Sequence, residues 1–155
     1  ATEAREILAT EWGVAVDTWA VTSWTSLRTD AMAVERSNRL HPTDPVQVPL
    51  VTRALSGLPG DAGLAPVVAV TDYMRAVPDQ VSRWIRRPFT SLGTDGFGLS
   101  DARSALRRHF EVDTGHVVVA VLAGLVATGT AEPAEVAKAI HRFGIDPDAA
   151  QPFIS

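Results

Sequence analysis

Apolar positions recur along this chain in two rhythms, one of helical spacing and one of short unbroken runs. Ala4, Ile7 and Leu8 share one side of a helix over residues 2–12. Gly13 follows where a helix stops best, because glycine enters the left-handed conformation without steric cost. Residues 14–21 are β-rich with apolar side chains on both faces, the pattern of a strand covered by helices on each side. Thr22-Ser23 supplies a cap for a helix in which Leu27, Ala31 and Val34 share a face, while Arg28, Glu35, Arg36 and Arg39 face water. His41-Pro42 ends it, an extended proline-rich loop runs to Pro49, and residues 52–55 read as one helical turn before a loop over 57–63.

Residues 65–70 form a short continuous apolar run bounded by turn signals, which marks a buried strand. Pro78 suits the first turn of a helix with Val81, Trp84 and Ile85 on its inner face, and residues 89–92 make a second short strand. After a glycine-rich loop, Ser100 or Asp101 starts a helix that buries Ala102, Ala105, Leu106 and Phe110. Asp113 or Thr114 caps the next helix, which runs to Thr128. Its valines would tolerate a strand, but its length and the spacing of Val117, Val118, Val121, Leu122 and Leu125 select a helix. Pro133 opens the last helix, Val136 and Ile140 face inward, and Gly144 closes it. Strands alternating with helices predict an α/β fold: a three-layer αβα domain with a mostly parallel sheet over residues 1–145, then a tail over 146–155. Because the chain opens on a helix, the sheet is expected to lack its first strand, supplied by residues before Ala1.

Composition narrows the function classes. Hydrophobic residues make up 46% and charged residues 21% of the 155, a globular balance. Fourteen Lys+Arg against 18 Asp+Glu leave a formal charge of -4, which is no footprint for nucleic acid or an anionic membrane. The apolar stretch over 117–127 is shorter than the about 20 residues that cross a bilayer. With no cysteine there is no thiolate nucleophile, thiolate metal site or disulfide, and a cytoplasmic location is expected.

Candidate chemistry is sparse. His41, His109, His116 and His141 form no metal-binding spacing; the nearest pair, His109 with Asp113, spans a predicted helix break. No G-x-S-x-G elbow is present. Gly93, Gly96 and Gly98 follow a strand and lead into a helix, as phosphate loops do, but lack the G-x-G-x-x-G spacing and a following Lys. The competing reading is structural: glycines that allow positive φ and close packing, with Asp95 and Ser100 satisfying amides. Asp72, Tyr73 and Arg75 follow the best strand, and the carboxyl ends of parallel strands are where α/β domains meet ligands or partners. A turn capped by Asp72 explains them equally. Trp12, Trp19, Trp24 and Trp84 are core or interface residues. Phe97 and Leu122 are expected to be buried, and Gly98 to resist substitution if its φ is positive.

Four ordered segments carry a resemblance: EWGVAVDTWAVTSW from Glu11, ERSNRLHP from Glu35, TDYMRAVPDQ from Thr71 and LGTDGFG from Leu92. Together they resemble the C-terminal domain of homodimeric-type pyruvate dehydrogenases, the thiamine-dependent decarboxylating components of bacterial complexes. That resemblance implies a transketolase C-terminal-like fold within an enzyme that decarboxylates a 2-oxo acid and transfers the acyl group to lipoamide. It places thiamine diphosphate and Mg²⁺ between two upstream domains, across a homodimer, with a lipoyl acyltransferase as a further partner. It implies no catalytic, cofactor-binding or metal-binding residue in this chain, and an inactive isolated domain. Gly60-Asp61-Ala62-Gly63 is not the family's metal motif, because no matching Asn follows. The residues expected to make contacts between domains or protomers, from their place after the strands, are Asp72, Tyr73, Arg75, Thr94, Asp95, Gly96, Phe97, Gly98 and Ser100. Three positions depart from the family. Leu99 stands where an Arg is usual, Leu50 where an aromatic is usual, and Trp84-Ile85-Arg86-Arg87-Pro88 replaces a Trp-Val-Pro-Gly-type turn. A paralogue using another 2-oxo acid, a split transketolase-like enzyme, an interaction module and a regulatory domain remain open alternatives.

Overall fold

A computed structural model describes residues 1–56, 65–96 and 98–152. Its sheet is built from two four-residue strands, the apolar run VVAV and the mixed segment FTSL. Strand β1 (Val67–Val70) lies parallel to β2 (Phe89–Leu92), with Val67 opposite Phe89 and Val70 opposite Leu92. Val67 N–H donates to Pro88 C=O at one end, and Thr71 N–H to Leu92 C=O at the other.

The alternation of side chains along a strand sends residues three apart to opposite faces, and two separate cores form accordingly. On one face Val67 and Phe89 pack with Ala31, Val51, Val81, Trp84 and Ile85. These come from α2 (Trp24–Leu40), α3 (Leu50–Ala54) and the chain around a 3₁₀ turn at Ser82–Trp84. On the other face Val70 and Leu92 pack with Ala4, Leu8, Val118, Leu122 and Ala139. That layer comprises α1 (Thr2–Trp12), α6 (Thr114–Ala127) and α7 (Pro133–Arg142). Two further helices, α4 (Ala76–Asp79) and α5 (Arg103–His109), lie in the connections. The architecture is the expected three-layer αβα arrangement around a small parallel sheet.

The predicted helix punctuation explains most boundaries. Ser23 Oγ accepts from Ser26 N–H at 3.1 Å to start α2, and Asp113 caps α6 through His116 N–H. Gly13 ends α1 with φ 63°. The loop after α2 is fixed from that helix: the Asn38 side chain bonds both the N–H and the C=O of Gln47 at 2.9 Å.

Four expectations need correction. Residues 14–21 are not a strand: Val14 and Val16 are half-buried against the α1–α6–α7 core, but 17–22 are exposed. β1 and β2 pair only with each other, so this extended run has no ladder among the described residues, and Val14 N–H donates to Leu8 C=O at 3.0 Å instead. The helix opened near Pro78 stops after Asp79, because Gln80 Nε2 donates to Val77 C=O and Ser82 Oγ donates to Asp79 C=O. These side chains take the carbonyls that a continuing helix would use. Val81, Trp84 and Ile85 are nevertheless buried. The helix placed at Ser100 or Asp101 begins at Arg103, with Asp101 Oδ1 accepting from Ala102 N–H instead. It leaves Ala102 and Ala105 exposed, half-buries Leu106 and buries only Phe110 just beyond its end. Finally, the turn placed at 52–55 starts two residues earlier, as α3, and ends at Ala54.

The stretch Arg103–Ala127 has the length and hydropathy of a membrane span. The chain breaks it into α5 and α6, with Glu111 at φ 57° in the bend, and α6 buries Val118 and Leu122 in the core. Its 14 residues fall short of the about 20 that span a bilayer. The loop at 57–63, the Gly60–Gly63 segment and Phe97 lie outside the described residues.

Candidate functional site

The two parallel strands end side by side at Thr71 and Gly93, and the chain leaves both ends through polar residues. Thr71, itself buried, accepts from Tyr73 N–H at 3.2 Å and so turns the chain out of β1. The segment after β2 interlocks with that turn. Thr94 N–H donates to Tyr73 C=O at 2.9 Å, and Thr94 Oγ1 donates to Asp72 C=O at 2.8 Å. Asp95 Oδ1 accepts from Arg75 N–H at 3.0 Å, while Asp95 Oδ2 pairs with Arg75 Nε. Gly93 makes the close approach possible: a Cβ there would lie 2.5 Å from Tyr73 O and 2.9 Å from Arg75 N.

Two segments about twenty residues apart in sequence are thereby held as one corner. Asp72, Arg75, Thr94 and Asp95 fix it, and the rings and chains left over point outward, with Tyr73 70% and Met74 57% exposed. Gly96 has φ 109°, as a structural loop glycine would. Asp95 sits where an anion-binding loop would need free donors, and it already accepts the Arg75 amide. The geometry therefore favours the structural reading of these glycines over phosphate binding. At Gly98 an added Cβ would meet nothing within 4 Å, so the predicted intolerance has no steric basis. Ser100 is exposed and stands apart from the corner's hydrogen bonds. Beside the corner lies an open depression of about 280 Å³, bordered by Asp72, Thr94, Leu99 and α5.

A second polar cluster has no counterpart among the predicted pairs. Asp113 meets His116, not His109: His116 Nδ1 is 2.7 Å from Asp113 Oδ1. Arg108 Nη1 donates to Asp113 Oδ2 at 3.0 Å, and its Nη2 donates to Phe143 C=O at 2.9 Å and to Gly144 C=O. The i,i+3 spacing of Asp113 and His116 was the available signal; the reach of Arg108 to the end of α7 was not visible. His109 instead stacks edge-on against Phe110, ring centroids 4.8 Å apart. The cluster is a splice joining the α5–α6 bend to the α7 terminus, where a cation favours the exposed carbonyls.

Burial acts to raise the Asp113 pKa, but bonds from the His116 ring and amide and from Arg108 outweigh it and hold the carboxyl at about 2. A depressed carboxyl stabilises the fold above its unfolded pKa, and that contribution disappears as pH falls through the folded value. Melts of the native chain and D113N should therefore diverge at pH 5 and converge between about pH 4 and pH 2. The difference at pH 5 is expected to be about 1–2 kcal/mol, after allowance for solvent screening of a partly exposed group. Equal acid dependence of the two proteins would refute the role given to this carboxylate.

A larger hollow, about 450 Å³, lies between α2 and the 3₁₀ turn and is bridged by the Arg83–Glu35 ion pair at 2.6 Å. Trp84 and Trp12 enclose their Nε1 atoms without a hydrogen bond, whereas Trp19 is 55% exposed. Trp19 is thus the tryptophan available to an interface. Among the described residues no three His, Asp or Glu side chains converge as metal ligands.

A family model described as the transketolase-like TK C-terminal domain matches residues 1–113. Relatives named pyruvate dehydrogenase E1 component are similar over almost the whole chain. The one from Mycobacterium tuberculosis is 46% identical over 152 residues, covering 98% of this chain and 16% of the relative. Those from Pseudomonas aeruginosa and Escherichia coli K12 are each 44% identical over 151 residues, covering 97% of this chain and 17% and 16% of the relatives. The chain spans about a sixth of the length of these relatives.

Proposed function

The chain belongs to the transketolase-like C-terminal domain family, and from that membership we propose that it is the structural and assembly domain of a thiamine diphosphate-dependent pyruvate dehydrogenase. The enzyme as a whole decarboxylates pyruvate and passes the acyl group to lipoamide. The observation that carries this reading is the 44–46% identity to E1 components over 97–98% of the chain. It acts in the cytoplasm, in keeping with a chain free of cysteine. Its partners are the thiamine-binding domains of the same enzyme, the second protomer of a homodimer and the lipoyl acyltransferase.

Thiamine diphosphate, when bound, supplies the electron sink for decarboxylation. The residues here do not fit it or its Mg²⁺, which needs clustered oxygen ligands and diphosphate donors. Asp95 is committed to Arg75, Asp113 to His116 and Arg108, and no other acidic set converges among the described residues. In this reading the cofactor site lies in the other domains, and no chemical step is given to this chain. Its part is mechanical. The interlocked corner presents Tyr73 and Met74 on a rigid base, and the exposed extended run over 17–21, which carries Trp19, joins no ladder among the described residues. A strand from the neighbouring polypeptide would complete the ladder there.

With pyruvate and thiamine diphosphate, the 155-residue chain should show only background decarboxylation, while the full polypeptide turns over. Deleting this domain from the full polypeptide should cut turnover at least tenfold. Turnover by the chain alone, with stoichiometric thiamine diphosphate, would overturn the proposal.

A further inference from the structure

Arg103 and Arg107 stand one turn apart on α5, so both guanidinium groups leave the same helix face. That face borders the depression beside the corner. Its floor is apolar: Phe110 and Val112 are buried and Leu106 is half-buried, with Leu99 53% exposed at the rim. Arg108, next in sequence, is taken up by Asp113 and the α7 carbonyls. Arg103 and Arg107 have no such partner among the described residues, and Asp72 on the same depression pairs with neither. Two like charges one turn apart repel, and no described side chain pairs with either although the chain's net charge is -4.

We infer that Arg103 and Arg107 grip a carboxylate of an acidic, apolar-flanked segment from another domain of the same enzyme, whose apolar side chains seat on Leu99 and Leu106. The inference rests on the proposed function, which supplies that neighbouring polypeptide. Planar guanidinium forks match a carboxylate with two parallel hydrogen bonds. The floor selects the rest of the occupant. A free phosphate or a nucleic-acid backbone would leave Leu99 and the open side of Leu106 in water, whereas a peptide covers them. An aromatic or aliphatic anchor beside a charged rim is the usual anatomy of such contacts.

The test uses R103K/R107K in the full polypeptide, treated with a carbodiimide that joins lysine to a touching carboxylate without a spacer. Lys138 is the single native lysine of this region, so the background is small. Mass spectrometry is expected to find an amide from either introduced lysine to an Asp or Glu outside residues 1–155, at least tenfold above the unsubstituted polypeptide. Cross-links confined to Asp72 or Asp101, or none at all, would overturn the inference. Turnover of pyruvate by the unsubstituted polypeptide is measured alongside. Turnover without the cross-link sinks this contact alone, and absence of turnover sinks the functional reading instead.

Discussion

Gly93→Val is expected to destabilise the protein by about 3–5 kcal/mol, and Gly93→Ala by a large part of that. The added Cβ meets Tyr73 O at 2.5 Å and Arg75 N at 2.9 Å, and both are backbone atoms. A flexible side chain could swing away from such a clash; these atoms cannot. Tyr73 O accepts from Thr94 N–H, and Arg75 N–H donates to Asp95, so moving either strand end breaks the interlock. Overpacking alone costs about 1–3 kcal/mol, and each hydrogen bond broken adds about 1. Gly98→Ala is the matched control, because nothing lies within 4 Å of a Cβ at that position, and its effect should stay within about 0.5 kcal/mol. Urea melts of the three variants and the native chain decide it. If Gly93→Ala lies as close to the native chain as Gly98→Ala does, the close approach is not holding the corner.

Linear pattern reveals some of this fold and hides the rest. Buried strands and capped helices announce themselves locally: the apolar run over 65–70, Ser23 before α2, Asp113 before α6 and Gly144 after α7 each combine a pattern with its terminator. The run over 14–21 has the same local strength yet carries no ladder, because a strand is a relation between two segments and the partner is not in the sheet of β1 and β2. The helix near Pro78 failed for another reason. Competition between side-chain donors and the helix ladder at Gln80 and Ser82 is decided by rotamers, which periodicity does not encode.

The candidate site was legible in parts. Polar residues after each strand mark Asp72–Arg75 and Thr94–Asp95 separately, as positions where parallel strands commonly meet something else. Only the parallel register brings Thr94 onto Asp72 and Asp95 onto Arg75. The arginine pair at Arg103 and Arg107 shows the reverse case. Its spacing is plain in the sequence, but its meaning depends on Asp113 taking Arg108 and leaving the other two exposed.

Leu122→Ala should cost about 2–5 kcal/mol and lower the melting temperature by roughly 5–15 °C. Leu122 is 1% exposed and sits in the core that α6 builds with Ala4 and Leu8 of α1 and Ala139 of α7. Its small neighbours Ala4 and Ala139 cannot reach into the vacated volume, and Val118 is β-branched and fixed in its rotamer. The hole therefore stays open, which is the costly end of the range for such substitutions. Against a total stability of about 5–15 kcal/mol the loss is a large fraction, enough to populate the unfolded chain at modest temperature. The effect reaches the corner as well. Val70 and Leu92, which pack against this same core, are the residues immediately before Thr71 and Gly93. A core loosened at Leu122 should thus expose the amides of Thr71 and Thr94 to hydrogen exchange, whereas Leu99→Ala, 53% exposed, should leave both protected. Protection unchanged in Leu122→Ala, or a stability loss below about 1 kcal/mol, would show that the α6 face and the strand ends are not mechanically joined.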